Sequence, residues 1–92
     1  MNLFWPDLSK EWGWKYIMEK YKNLSGKSPV TSFEIGEDFI RVQFSGGHIY
    51  RYTNVSAGFR NIEHMKQLAI KGRGLGTFIS KKVHDKYARK ER

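Results

Sequence analysis

The sequence predicts an α+β fold, a three-stranded antiparallel β-meander packed by helices, with an N-terminal helix and a basic C-terminal helix. Apolar and polar residues alternate at period two from Phe39 to Phe44 and from Tyr50 to Thr53, as in half-buried strands. The glycines of Ser45-Gly46-Gly47-His48 suit the tight connection of a hairpin. Segments with helical periodicity flank this region on both sides.

Two registers of the hairpin are compatible with the sequence, and they present different faces. A two-residue Gly46-Gly47 loop places Tyr50 and Tyr52 beside Arg41, on an aromatic and basic platform. A three-residue loop with a glycine bulge places both tyrosines beside the apolar residues of the first hairpin strand, and it turns Arg41 and Arg51 outward together. The first register points Arg51 into the apolar side, where an unpaired charge costs several kcal/mol, so the second register is favoured.

Residues 1–28 are predicted to form an aromatic-rich helical extension, separate from a domain of residues 29–92. Asp7 or Ser9 can cap a helix that runs to Leu24, because apolar residues at helical spacing form one face of this segment. Those residues are Trp14, Ile17, Met18, Tyr21 and Leu24. Trp5 and Trp12 lie off this face and are candidates for a partner contact, although Trp5 is also suited to fold back onto the helix or sheet.

One more strand and one more helix are predicted next to the hairpin. Val30 to Ile35 alternates, and Gly36-Glu37-Asp38 turns the chain into the hairpin, which completes three antiparallel strands. Ser56 suits the N-cap of a helix that runs to about Ile70 and lies across the sheet. Its apolar stripe consists of Phe59, Ile62, Met65 and Leu68 or Ala69.

The last predicted element is a basic helix that begins near Ser80 and runs to the tail. Ile79, Val83 and Tyr87 recur every four residues, so they form a face that docks on the domain. Lysine and arginine occupy its remaining sides. Residues 71–92 contribute +6 of the net charge of +8, whereas residues 1–27 contribute +2 and residues 28–70 are neutral. Such a cluster attracts polyanions; the alternative is a solvated tail that only aids solubility.

A glycine-rich stretch precedes this helix, with Lys71-Gly72-Arg73-Gly74-Leu75-Gly76-Thr77 placing glycine at every second position. Backbone amides in such a loop can cradle a phosphate, and Arg73 adds positive charge. The stretch lacks the lysine and serine or threonine that end a nucleoside-triphosphate loop, and it follows a helix instead of a strand. A connector that must turn sharply is therefore the favoured interpretation.

The sequence does not predict an enzyme. His48, His64 and His84 are scattered over a turn and two helices, and a chain without cysteine has no thiol nucleophile and no thiolate ligand for zinc. Glu37 and Asp38 are neighbours in a turn and point apart. We predict no cofactor and no metal ion. No apolar run approaches the length of a membrane span, so we expect a soluble, cytoplasmic protein without a membrane partner.

Many of these residues resemble the KTSC domain, a short module at the C-terminus of some bacterial lysyl-tRNA synthetases that also occurs as a free-standing bacterial or phage protein. The matching residues are Ser32, Ile35-Gly36, residues 40–47, Tyr50-Arg51-Tyr52, Val55, residues 76–80, Val83 and Tyr87. The Tyr-x-Tyr core is the family's most characteristic feature, and the resemblance covers about residues 31–88. It implies the fold, and the synthetase context implies RNA binding, with no inherited catalytic residue. Leu75-Gly76 replaces a more usual polar stretch.

Two functions are predicted. The preferred one is a non-catalytic domain that binds nucleic acid, as RNA or single strands, through a basic surface. Its predicted phosphate contacts are Arg73, Lys81, Lys82, Lys86, Arg89 and Lys90, and Arg41 and Arg51 are predicted to lie nearby in the same binding surface. The alternative is a protein-interaction module, such as a phage-encoded inhibitor or adaptor of the anti-CRISPR kind, that binds a host nucleoprotein complex. Candidate aromatic contacts are Trp5, Trp12, Tyr50 and Tyr52.

Overall fold

A computed structural model describes residues 18–92, which form an antiparallel sheet of five strands with helices on one face. The strands lie in chain order: β1 (Glu19–Lys20), β2 (Val30–Ile35), β3 (Phe39–Phe44), β4 (Ile49–Thr53) and β5 (Arg89–Lys90). The helices are α1 (Asn54–Ala57), α2 (Phe59–Lys71) and α3 (Leu75–Phe78), and a π-helical turn (Ile79–Val83) extends α3. The fold is α+β, but the prediction of three strands was wrong.

The central hairpin adopts the register that places the tyrosines in the core. Ile40 pairs with Tyr52 and Val42 pairs with Tyr50, while Arg41 lies opposite Arg51 on the other face. The Phe44 N–H donates to the His48 carbonyl at 2.8 Å, which closes a three-residue loop over two glycines that both have a φ of 92°. This loop sets the parity of β4, so it decides which side chains become core.

Strand β1 replaces the end of the predicted N-terminal helix. Glu19 pairs with Phe33, and the Tyr21 N–H donates to the Thr31 carbonyl at 2.9 Å, so the chain is extended where helix was predicted to continue to Leu24. Tyr21 is 2% exposed, and its hydroxyl accepts a hydrogen bond from the Leu75 N–H at 3.2 Å. The helical periodicity is overridden here, because the extended chain pairs with the free edge of β2 and places the Tyr21 hydroxyl where it accepts a hydrogen bond. The remainder of that helix, with Trp5 and Trp12, lies outside the described residues.

The predicted C-terminal helix is also wrong beyond Val83. The chain turns at His84 and Asp85 and returns as β5, which pairs with β4. The Ala88 N–H donates to the Arg51 carbonyl at 2.7 Å, and the Glu91 N–H donates to the Ile49 carbonyl at 2.7 Å. A helix to the tail would leave this edge of β4 unpaired, so backbone pairing favours the strand.

One capping box and one glycine shape the helical layer. Thr53 caps α1, and Ser56, which was predicted to be the N-cap, instead occupies the third helical position of a capping box with Thr53. Gly58, with a φ of 96°, separates α1 from α2. The core is formed where α2, α3 and the π-helical turn pack on the inner face of the sheet. The helical residues of this core are Ile62, Met65, Ala69, Leu75, Ile79 and Val83. Phe59, from the predicted stripe, is 63% exposed.

Candidate nucleic-acid interface

Each glycine of the stretch from Lys71 to Thr77 has a structural reason. Gly72 ends α2 in the left-handed region with a φ of 84°, and Gly74 precedes α3 with a φ of 85°. A Cβ on Gly76 would lie 2.9 Å from Ser28 Oγ and 3.2 Å from Pro29 Cδ, so glycine lets α3 approach the 25–29 loop closely. The glycines thus serve the path of the chain, as the connector interpretation predicts.

This close approach creates a polar cleft of about 350 Å³ between the 25–29 loop and the start of α3, which we call the glycine-loop cleft. Its lining side chains include Lys27, Ser28, Thr77, Ser80 and Lys81. Asn23 holds the loop in place, because its side-chain oxygen accepts a hydrogen bond from the Ser28 N–H at 3.0 Å. The cleft therefore brings together Lys27 and Lys81, which are far apart in the sequence.

A second hollow, of about 420 Å³, lies between α2 and α3, and we call it the α2–α3 groove. It is lined by His64, Leu68, Gly74, Thr77, Phe78, Lys81 and Lys82. The rings of His64 and Phe78 have their centroids 4.7 Å apart and are inclined by 55° to each other. Because the groove shares Gly74, Thr77 and Lys81 with the glycine-loop cleft, the two hollows lie side by side.

Exposed cations lie in and beside the two hollows: Lys27, Lys81 and Lys82 line them, whereas Lys22, Lys71 and Arg73 lie at or next to the glycine-rich stretch. We define the glycine-loop basic surface as Lys22, Lys27, Lys71, Arg73, Lys81 and Lys82. None of these side chains forms an ion pair with another residue in the range 18–92, and the described lining of the cleft and the groove contains no carboxylate. No carboxylate of the described residues forms an ion pair with these cations, so their charge stays available to a polyanion.

The outer face of the sheet, opposite the helices, has a different character, because carboxylates engage its arginines. Arg41 Nε donates to one Glu91 carboxylate oxygen at 2.9 Å, and Arg51 Nε donates to the other at 2.7 Å. Arg41 also forms an ion pair with Glu34 across the β2–β3 pair. At 8% exposure, Arg41 has little surface left for a ligand.

The pKa values in this network reflect a balance between burial and ion pairing. Burial raises the pKa of the Glu91 carboxyl, but hydrogen bonds from Arg51 and Arg41, together with their charges, outweigh burial and hold that pKa below its ordinary value. Burial lowers the pKa of the Arg41 guanidinium, but its hydrogen bonds to Glu34 and Glu91 outweigh burial and raise that pKa above its ordinary value. Both groups therefore stay charged at neutral pH while the domain is folded.

The two tyrosines of the Tyr-x-Tyr motif occupy core positions. Tyr52 is 1% exposed, and burial is the first cause of the upward shift in the pKa of its phenol. A ring with so little exposed surface has none to offer a partner while the domain is folded. Tyr50 is half-buried and packs edge-on against Tyr87, with their centroids 4.8 Å apart.

The residues predicted to contact phosphate thus fall into separate groups. Arg73, Lys81 and Lys82 lie on the glycine-loop basic surface, whereas Arg41 and Arg51 belong to the ion-pair network of the outer face. Lys86, Arg89 and Lys90 are exposed, and Arg89 and Lys90 form β5 at the sheet edge. Sequence reasoning missed Lys27, because its place beside Lys81 arises from a long-range contact with no local signal.

Comparison with known proteins adds no relative to this description. Family models, curated proteins and solved structures were each compared with the chain, and none of them matches it. The KTSC resemblance therefore rests on the residues quoted above and stays a prediction. Within residues 18–92 there is no cluster of three or more potential metal ligands, and no helix there is long and apolar enough to cross a membrane.

Proposed function

We propose that the chain is a non-catalytic domain that binds nucleic acid through the glycine-loop basic surface. The observation that carries this proposal is a set of exposed cations without carboxylate partners, arranged around two adjoining hollows. Phosphates bound there release counterions, which supplies affinity without any sequence preference. RNA is the ligand we favour, because the resemblance to a module attached to lysyl-tRNA synthetases implies it.

The glycine-loop cleft is better suited to bind a backbone phosphate than a mobile basic tail would be. Lys27 and Lys81 supply charge from two sides, and the hydroxyls of Ser28, Thr77 and Ser80 are potential hydrogen-bond donors. Side chains on ordered elements lose less conformational entropy on binding than those of a mobile tail. Arg41 and Arg51 are left out of the proposed contacts because Glu91 already accepts hydrogen bonds from both.

The test is a titration with single-stranded and duplex RNA and DNA of one length, at two salt concentrations. Between about 50 and about 200 mM salt, contacts to three to five phosphates lower the affinity for a single strand by about 20- to 100-fold. Affinity that does not change with salt, or no binding at the lower concentration, contradicts the proposal.

A pair of charge-matched variants locates the contact. Lys81→Ala with Lys82→Ala removes two cations from the glycine-loop basic surface, whereas Lys20→Ala with Arg89→Ala removes two from the outer face. We expect the first pair to weaken binding by about tenfold and to reduce the salt slope, and the second pair to have a much smaller effect. Equal losses from both pairs would refute the location.

A protein-interaction module is the alternative, and exposed apolar residues favour it. Val55 is 96% exposed, and Phe59, four residues later in the sequence, is also largely exposed. Such residues commonly mark contacts with other proteins when they form a patch. This alternative predicts that no oligonucleotide binds, even at low salt, so the titration above separates the two functions.

A further inference from the structure

We infer that the α2–α3 groove binds an unpaired base of a single-stranded nucleic acid whose phosphates lie on the glycine-loop basic surface. This inference rests on the proposed function and narrows the ligand to a single strand. A base inside a duplex has both faces covered by its neighbours, so only an unpaired or splayed base can enter a groove and stack on side chains.

The walls of the groove suit the flat, apolar face of a base. The rings of His64 and Phe78 meet at 55° with their centroids 4.7 Å apart, so together they form an angled aromatic corner. Leu68 adds an aliphatic contact to this corner. Phe78 is half-buried against the core, so the fold holds its ring in place before any ligand arrives.

The positive charge around this groove favours a nucleic acid as its occupant. Lys81 and Lys82 line it, and its wall of Gly74, Thr77 and Lys81 is also the wall of the glycine-loop cleft. A base in the groove therefore brings the phosphates of its own strand next to unpaired lysines. An apolar side chain of a protein would fill the groove equally well, but it would leave the positive charge around it unmatched.

The experiment compares two labelled decamers that carry the same number of phosphates, a uridine decamer and an abasic ribose-phosphate decamer. Fluorescence anisotropy with the full chain measures both affinities in one buffer. We expect the wild-type protein to bind the uridine decamer about 5- to 50-fold more tightly than the abasic one, because stacking of one base contributes about this factor.

Variants at the groove assign that difference to the aromatic corner. His64→Ala changes an exposed residue, and Phe78→Leu keeps an apolar side chain against the core while it removes the ring. Both should weaken binding of the uridine decamer by about 5- to 50-fold and leave the abasic decamer unaffected. Phe59→Leu is the matched control, because Phe59 lines neither hollow. It should change neither affinity.

The outcomes distinguish this inference from the function beneath it. If the wild type binds both decamers equally, or if His64→Ala and Phe78→Leu leave binding of the uridine decamer unchanged, the base site is wrong while the phosphate surface stands. If neither decamer binds at low salt, the proposed function fails and the base site fails with it. Such a result would point to a protein side chain as the occupant of the groove.

Discussion

Glu91 connects two strands through one carboxylate. Its two oxygens accept hydrogen bonds from Arg41 on β3 and Arg51 on β4, while its own N–H donates to the Ile49 carbonyl. Loss of the carboxylate leaves the Arg41 charge, which has little access to water, with Glu34 alone. Removal of one partner from a largely buried pair is destabilising, since the remaining charge pays its desolvation cost without compensation.

We expect Glu91→Gln to lower the free energy of unfolding at neutral pH by about 1–3 kcal/mol. The folded-state pKa of Glu91 is below its ordinary value of 4.5, so its stabilisation is complete above that value and is lost as the pH falls through the folded pKa. Urea unfolding of the variant should therefore depend less on pH below about 4.5 than unfolding of the wild type does.

The matched control is Glu37→Gln, which changes an exposed carboxylate that forms no ion pair with another described residue. It should leave both the stability and the acid dependence close to those of the wild type. Equal acid dependence in Glu91→Gln and the wild type would show that the network contributes nothing to stability at acid pH.

Gly36 provides a second prediction at the residue scale. A Cβ at this position would overlap the ring of Phe39, which also contacts the Arg51 guanidinium at 4.4 Å from the ring centroid. We expect Gly36→Ala to lower stability by about 1–3 kcal/mol through this overlap. In a double-mutant cycle with Phe39→Ala, the cost of the alanine should largely disappear, and purely additive losses would refute the explanation.

Strand β5 and the residues on either side of it dock on the sheet by backbone pairing, ion pairing and aromatic contact together. The Ala88 N–H donates to the Arg51 carbonyl, Glu91 accepts from the arginines, and Tyr87 packs on Tyr50 and Tyr52. We expect Ala88→Pro, which removes that donor, to cost about 1–3 kcal/mol, and Ala88→Ser, which keeps it, to cost little.

The double variant tests whether these contacts form as one unit. If β5 detaches as a whole, Ala88→Pro already releases Glu91, so adding Glu91→Gln should cost less than it does in the wild type. The measurement is a set of four urea unfolding curves at neutral pH. Additive losses would mean that the Glu91 contacts survive without the Ala88 hydrogen bond.

The elements that could be predicted are those with a local cause. Alternation over β3 and β4 and the glycines between them determine the hairpin, and the cost of burying Arg51 selects its register. Strands of two residues carry no such pattern, and β5 forms because a distant strand edge is open to it. Tyr87 continues the four-residue spacing of Ile79 and Val83. It nevertheless lies beyond the helix, after a turn, and packs on Tyr50 and Tyr52.

The candidate site shows the same division. The distribution of charge along the sequence identified Arg73, Lys81 and Lys82 as candidates, because positive charge concentrates in the last quarter of the chain. Lys27 joins them only because glycine at position 76 lets α3 approach Ser28 and Pro29. His64 and Phe78 form their corner through the packing of two helices. Contacts of this kind depend on tertiary structure, and a single sequence has no periodicity that reports them.

At the scale of the whole molecule, the structure changes where the chain should be divided. A cut after residue 28 follows the predicted domain boundary, but it removes β1, Lys27 and Tyr21, whose buried hydroxyl accepts a hydrogen bond from the Leu75 N–H. A cut after residue 17 keeps all three. The sheet and its described core lie within residues 18–92, so this shorter chain keeps all of these contacts.

We therefore expect residues 18–92 to unfold cooperatively in urea with a free energy close to that of the full chain. Residues 29–92 should lose about 3–5 kcal/mol from Tyr21 alone, a large share of the total stability of about 5–15 kcal/mol usual for a domain. Retention of salt-dependent binding to the uridine decamer by residues 18–92 would place the phosphate contacts on the glycine-loop basic surface. A folded fragment that has lost this binding would instead assign the contacts to residues 1–17, where Trp5 and Trp12 lie.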